Sequence, residues 1–302
     1  GGTSRDGFLD YDALVAAQDP ASTVEVAITD DDMFNIVYSS GTTGMPKGII
    51  HTHRIRAMYC ALFASTWRMT PESIVMHAGS LVFNGAFVTL MPALFLGTTY
   101  VLQARFDAVE FIETVEREHV THVMMVPSQI IAVMHAPNFS AHKLRSLQML
   151  GSVGAPLHRE HKDRLTSALP GIFYELYGLT EGVITILDRD DVARKTGSVG
   201  GPQPFFELRV VGEDGVDRPV GEVGEIVGRS PFLMPGYYKR PDLTAEAIRD
   251  GWMYTGDMGY LDDDGYLYLV DRKKDLIISG GVNVYPKAIV DVVLTTPALL
   301  EA

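Results

Sequence analysis

The segment Tyr38-Ser-Ser-Gly-Thr-Thr-Gly-Met-Pro-Lys-Gly48 gathers glycines, hydroxyl side chains and one ammonium, Lys47. Glycine leaves backbone N–H groups unobstructed, Ser and Thr hydroxyls add donors, and the lysine supplies counter-charge, so these are the parts of a phosphate cradle. The segment follows the apolar run FNIV and precedes HTHRIRAMYCALFAST, which predicts a loop between a strand and a helix. It is not the GxxxxGK[ST] nucleotide loop, because Pro46 stands where that loop requires its second glycine. A polar surface turn with a chance lysine is the competing reading. His51 and His53, like His158 and His161, are close in sequence, but neither pair has an obvious third ligand, so no metal centre is expected from them.

A phosphate cradle needs a scaffold. From Met33 to about Gly178, short β-branched runs alternate with amphipathic segments. The candidate strands are MFNIVYS, SIVMH, TTYVL, THVMMV, LQMLG and IFYELYG, and the candidate helices lie near 54–65, 83–96, 108–118, 128–135 and 158–168. In the third helix, Val109, Ile112 and Val115 are spaced for one face while Glu110, Glu113, Arg117 and Glu118 take the other. This alternation predicts an α/β fold, a parallel sheet layered with helices, with ligands at the carboxyl ends of its strands. From about residue 195 the texture becomes Gly-rich short strands joined by turns such as GEDG and DDDG, which predicts a smaller antiparallel β subdomain. DDDG is read as a hairpin turn, since a calcium loop would put its first ligand on Tyr260.

Composition narrows the class of function. The chain has 302 residues, 46% of them hydrophobic, and a net charge of −13, which opposes binding to a nucleic-acid backbone or an anionic membrane. Cys60 is the single cysteine, so no internal disulfide forms and a cytoplasmic location is expected. Residues 73–104 lack Asp, Glu, Lys and Arg and are long enough to cross a bilayer. Glycines and Pro92 divide them, however, into a buried strand, helix and strand, so no membrane span is expected.

YSSGTTGMPKG resembles the signature loop of the adenylate-forming superfamily, which includes acyl-CoA synthetases, luciferases and peptide-synthetase adenylation domains. GSVGAP (151–156), YGLTEG (177–182), YTGDMGYLDDDGYLYLVDRKKD (254–275) and ISGGVNVYP (278–286) are similar to its other motifs, in the usual order. The resemblance implies that a carboxylate attacks the α-phosphate of ATP to give an acyl-adenylate and pyrophosphate, and that CoA thiol then attacks the anhydride. By the same resemblance, Ser39, Ser40, Gly41, Thr42, Thr43, Gly44 and Lys47 hold the β- and γ-phosphates, Thr180 hydrogen-bonds the α-phosphate, and Glu181 holds Mg²⁺. The resemblance further implies that Asp257 and Arg272 contact the ribose and that adenine lies between Gly154-Ala155-Pro156 and Tyr177-Gly178. The resemblance likewise implies that Lys274 is the hinge of a mobile C-terminal domain and that Gly280 and Gly281 border a tunnel for CoA. Glu181 has a competing reading as a helix-start carboxylate, and Tyr177 one as a core tyrosine.

Departures from the pattern carry further expectations. Phe83, with Asn84 and Gly85, stands where the family often places an acyl-pocket histidine, which predicts a hydrophobic acid substrate. Ala288 and Val290 replace usual acidic positions. The family's C-terminal lysine segment would lie beyond Ala302 and the phosphate loop comes early, so the resemblance implies an internal fragment, poorly active alone. The expected parts are 1–194, the α/β portion of the large domain; 195–273, its β-rich subdomain; and 274–302, the hinge and start of a C-terminal α+β domain. DRKKDLIISGG favours a stand-alone AMP-forming acyl-CoA ligase over a peptide-synthetase adenylation domain or a non-catalytic binding relic. Its small-molecule partners would be ATP, CoA and a carboxylic acid, and a homo-oligomer is compatible with the sequence.

Overall fold

The computed structural model of the protein describes residues 7–39, 46–275, 277–279, 282–284 and 286. A short helix, α1 (Tyr11–Ala16), precedes a hairpin of β1 (Met33–Ser39) and β2 (Lys47–Thr52). The two strands pair antiparallel, with Ser39 opposite Lys47 at the end that carries the Gly-Ser-Thr loop. That loop therefore joins two strands, which corrects the expected strand-to-helix junction. Ile49 and Ile50 suit extended backbone, Ile49 pairs with Val37 and is fully buried, and helix α2 (His53–Thr66) begins only after Thr52, whose hydroxyl caps it.

Beyond α2 the chain alternates strictly: β3 (Ile74–Ala78), α3 (Asn84–Leu96), β4 (Thr99–Gln103), α4 (Ala108–Glu118), β5 (His122–Met125), α5 (Pro127–His135), β6 (Met149–Val153), α6 (Arg159–Ala168), β7 (Phe173–Gly178). The strands β4-β3-β5-β6-β7 are parallel, as the alternation predicts. β8 (Ile184–Leu187) and β9 (Gly201–Pro202) extend the sheet antiparallel, so it is mixed. The short connection between β7 and β8 permits only a reversal, because a parallel crossover needs a dozen or so residues. Helices α4, α5 and α6 cover one face through Phe111, Ile112, Ile130, Met134 and Leu165, and α2 and α3 cover the other through Tyr59, Phe63, Trp67 and Val88.

Residues 73–104 form the expected strand, helix and strand, and among the described residues no helix is long and apolar enough to cross a membrane. Pro92 lies inside α3 and cannot donate to the Val88 carbonyl, which accepts the Trp67 indole N–H at 3.0 Å instead.

The second sheet comprises β10 (Glu207–Val211), β11 (Gly224–Arg229), β12 (Ile248–Arg249), β13 (Trp252–Leu261) and β14 (Leu267–Arg272), all antiparallel, with α7 (Pro241–Ala247) leading into β12. DDDG is a hairpin turn: Asp262 Oδ1 accepts the N–H groups of Asp264 at 3.0 Å and Tyr266 at 2.9 Å. A last hairpin joins β15 (Ile277–Ser279) to β16 (Val282–Val284).

Candidate active site

The parallel strands β6 and β7 end beside the antiparallel sheet, and between them lies a cleft of about 750 Å³. Its walls bring together Ser39 and Lys47 from the hairpin, Gly154, Ala155 and Pro156 after β6, Tyr177 and Gly178 of β7, Glu181, Asp257 of β13, Arg272 of β14, and Lys274. A cleft of this size at strand carboxyl ends is where an open α/β sheet takes a small ligand. Residues separated by more than two hundred positions in sequence thus share one wall.

Asp257 and Arg272 are cross-strand partners, with Arg272 Nε 3.6 Å from Asp257 Oδ1. The Tyr177 hydroxyl donates to Asp257 Oδ2 at 2.8 Å. Tyr177 is therefore not a plain core tyrosine: it lines the cleft while packing near Val199, Ile226 and Leu267, and its hydroxyl donates to the aspartate. Burial pushes the Asp257 carboxyl above its ordinary value, with Tyr177 and Arg272 pulling the other way. Burial, then the neighbouring Asp257 charge, pushes the Tyr177 hydroxyl up.

Thr180 and Glu181 lie in the β7–β8 turn, so Glu181 starts no helix and that competing reading is corrected. Gly182 closes the turn at φ +118°, and a Cβ there would come within 2.2 Å of the Phe232 carbonyl oxygen. The segment after β11 holds the turn: Met234 N–H donates to the Glu181 carbonyl at 2.9 Å and Ser230 Oγ to that of Gly182 at 2.6 Å. The Tyr237 hydroxyl donates to Glu181 Oε1 at 2.8 Å, and the Lys47 ammonium stands 5.0 Å from the centre of the Tyr237 ring. Burial, then the Glu181 charge, pushes the Tyr237 hydroxyl up, so it stays a donor. Thr180 is not on the cleft wall; its carbonyl accepts from His51 Nε2 at 2.9 Å.

Glu175, which also lines the cleft, accepts the Lys162 ammonium at Oε2 and the Leu157 N–H at Oε1, the latter at 3.1 Å, which ties the 154–157 turn to β7. Tyr237, His51 and the Lys162–Glu175 pair had no signal in the sequence beyond residue type, since each meets its partner only through the fold.

Phe83 and Asn84 lie off this wall. Phe83 is 69% exposed at the start of α3, Asn84 Nδ2 donates to the Tyr59 hydroxyl at 3.2 Å, and Gly85 approaches Val153 at the end of β6. Ser40, Gly41, Thr42, Thr43, Gly44, Gly280, Gly281, Ala288 and Val290 lie outside the described residues. Among the described residues no group of three or more His, Cys, Asp and Glu is placed to hold a metal. Glu181 is a single hard oxygen ligand with one oxygen engaged by Tyr237, which fits Mg²⁺ only if phosphate and water supply the other ligands.

A model of AMP-binding enzymes matches residues 3–238. The chain belongs to the AMP-binding enzyme family. Among curated AMP-binding relatives, a feruloyl-CoA synthase of Amycolatopsis sp is 38% identical over 277 residues, 90% of this chain and 56% of that protein. A long-chain-fatty-acid–CoA ligase of Mycobacterium tuberculosis is 35% identical over 305 residues, 99% of this chain and 60% of that protein. The crystal structure of ATP-bound MatB from Rhodopseudomonas palustris superposes with a TM-score of 0.87 at 30% identity, covering 96% of this chain and 57% of that one. The chain thus spans little more than half the length of the AMP-binding relatives it matches.

Proposed function

We propose that the protein activates a carboxylic acid with ATP, forming an acyl-adenylate and pyrophosphate, and passes the acyl group to CoA. The observation that carries this reading is the single cleft in which Lys47, Glu181, Asp257 and Arg272 face the Gly154–Pro156 turn and Tyr177. An ammonium, a carboxylate on the same cleft wall and an aspartate paired with an arginine suit a phosphate counter-charge, a metal ligand and a hydroxyl acceptor around one ligand-sized space.

In this reading Ser39, Lys47 and residues 40–44 take the β- and γ-phosphates and Thr180 the α-phosphate. Asp257 and Arg272 take the ribose, and the 154–156 turn with Tyr177 and Gly178 takes the base. Glu181 would hold Mg²⁺, which supplies charge neutralisation at the transferring phosphate when bound. Lys274 would act as the hinge and Gly280 and Gly281 as the CoA passage. The protein would work in the cytoplasm. Its acid would be hydrophobic: ferulic and long-chain acids, named for two relatives, have apolar bodies, and Gly85 sets the Phe83-bearing end of α3 beside the end of β6. The deciding experiment is an acid panel with the gene's whole product, following pyrophosphate with and without CoA. Acid-dependent pyrophosphate with thioester formed only when CoA is present is expected, and adenylate without thioester rejects transfer to CoA.

Two substitutions follow from the same placement. Phe83→His is expected to shift the preferred acid towards more polar members of the panel, and an unchanged ranking removes Phe83 from the acyl site. Asp257→Asn is expected to weaken AMP binding about tenfold to a hundredfold by titration calorimetry, since it removes a charged acceptor. The sign for stability is opposite. A carboxyl whose folded pKa lies above its unfolded value contributes stability below pH 3.8 that is lost as pH rises through the folded value, so the charge is a burden at pH 7. Melting of Asp257→Asn at pH 7 should therefore be unchanged or higher. For the unaltered protein, AMP binding should fade with acid at a pH above that of an ordinary aspartate.

A further inference from the structure

His51 is fully buried on β2, with Nδ1 3.1 Å from Arg56 Nη2 and Nε2 2.9 Å from the Thr180 carbonyl oxygen. A guanidinium only donates and a carbonyl only accepts, so the ring nitrogen facing Arg56 carries the lone pair and the one facing Thr180 carries the proton. One neutral tautomer satisfies both contacts. Arg56 is itself fixed: its Nε donates to Asn35 Oδ1 at 3.2 Å, and its guanidinium stands 4.7 Å from the Tyr59 ring centre and 4.3 Å from that of Phe87. Burial first, and the Arg56 charge second, hold the His51 pKa down to about 4, which agrees with a neutral ring.

Contacts thus run from Asn35 on β1, through Arg56 on α2 and His51 on β2, to the β7–β8 turn. The strands at its start carry Ser39 and Lys47, and the turn at its end carries Thr180 and Glu181. We infer that His51 is a positioning residue whose tautomer, fixed by Arg56, couples the phosphate-loop hairpin to the Thr180–Glu181 turn. This rests on the nucleotide reading above. Without His51 the Thr180 carbonyl loses its donor, and among the described residues the turn keeps its anchors at Glu181 and Gly182. Thr180 can then shift relative to Lys47, and the cost falls on a ligand that spans both, not on one that reaches only the base and ribose walls.

The experiment compares adenosine with a non-hydrolysable ATP analogue plus Mg²⁺, by calorimetry, and reads the His51 ring by ¹⁵N NMR at pH 7. The unaltered protein should show a neutral ring protonated at Nε2 and bind both ligands. His51→Leu should bind the analogue about tenfold more weakly, the scale of one lost buried hydrogen bond, with adenosine binding little changed. His51→Gln, whose amide N–H reaches towards the same carbonyl, should restore most of the loss. A cationic ring or the Nδ1–H tautomer overturns the inference even if His51→Leu does not fold. Equal analogue binding by a folded His51→Leu, or equal loss of both ligands, overturns the coupling. If the unaltered protein binds neither ligand, the nucleotide reading falls and this inference with it.

Discussion

Replacing Lys162 with Met is expected to lower the unfolding free energy by about 3–5 kcal/mol, the range for removing one partner of a buried ion pair. The Lys162 and Glu175 side chains are only 9% and 3% exposed, and Glu175 sits on a central strand with one further donor, the Leu157 N–H. With the ammonium gone, a carboxylate only 3% exposed at the cleft lining keeps the Leu157 N–H as its backbone donor. The double substitution Lys162→Met, Glu175→Leu should recover most of the loss, because the cost lies in the unpaired charge and not in the absence of the pair. Urea unfolding of the parent, both single variants and the double variant measures the coupling. A Lys162→Met variant within about 1 kcal/mol of the parent would show that water reaches Glu175 and that the pair is not buried in solution.

How much of this was legible in the sequence differs by scale. Among the five helices between residues 53 and 168, α3 is apolar nearly all round and is marked by the charge-free run 73–104 and its glycines, whereas α4 follows from apolar spacing because it buries one stripe against a sheet. Even there the face was slightly misread: Phe111, not Val109, points inward with Ile112 and Val115, since a wide stripe accepts either position. β2 was missed because Lys47–Thr52 combines a charge, a glycine, a histidine and a threonine around two isoleucines, and its strand character comes from pairing with β1. The antiparallel turn-back at β8 was likewise hidden, since the period of a strand says nothing of its direction. Resemblance singled out motif residues, and the cleft brings together Lys47, Tyr177, Glu181, Asp257 and Arg272 of them. The residues that hold them were not legible. Tyr237 lies 56 positions from Glu181 and His51 lies 129 from Thr180, and only the packed fold brings such pairs together.

Glu181→Gln is expected to reduce acid-dependent pyrophosphate release by about 10²–10³, the usual scale for losing one preorganised charge at a reacting phosphate. The substitution is close to isosteric, and the amide oxygen still accepts the Tyr237 hydroxyl, so the turn anchored by Met234 and Ser230 should keep its shape. What disappears is the negative charge of Glu181 on the cleft wall and its capacity to hold a divalent cation. Tyr237→Phe separates the two effects. It leaves the Glu181 charge, and the ring that Lys47 faces, while removing the hydroxyl that aims Oε1. If aim matters less than charge, Tyr237→Phe should cost only about tenfold, the scale of one hydrogen bond to a charged group. The Mg²⁺ concentration for half-maximal rate discriminates further: it should rise in Glu181→Gln and move little in Tyr237→Phe. A Glu181→Gln variant that keeps both its rate and its Mg²⁺ requirement would assign the carboxylate to holding Tyr237 in place, and the metal would then have to be held by phosphates and water without a protein carboxylate.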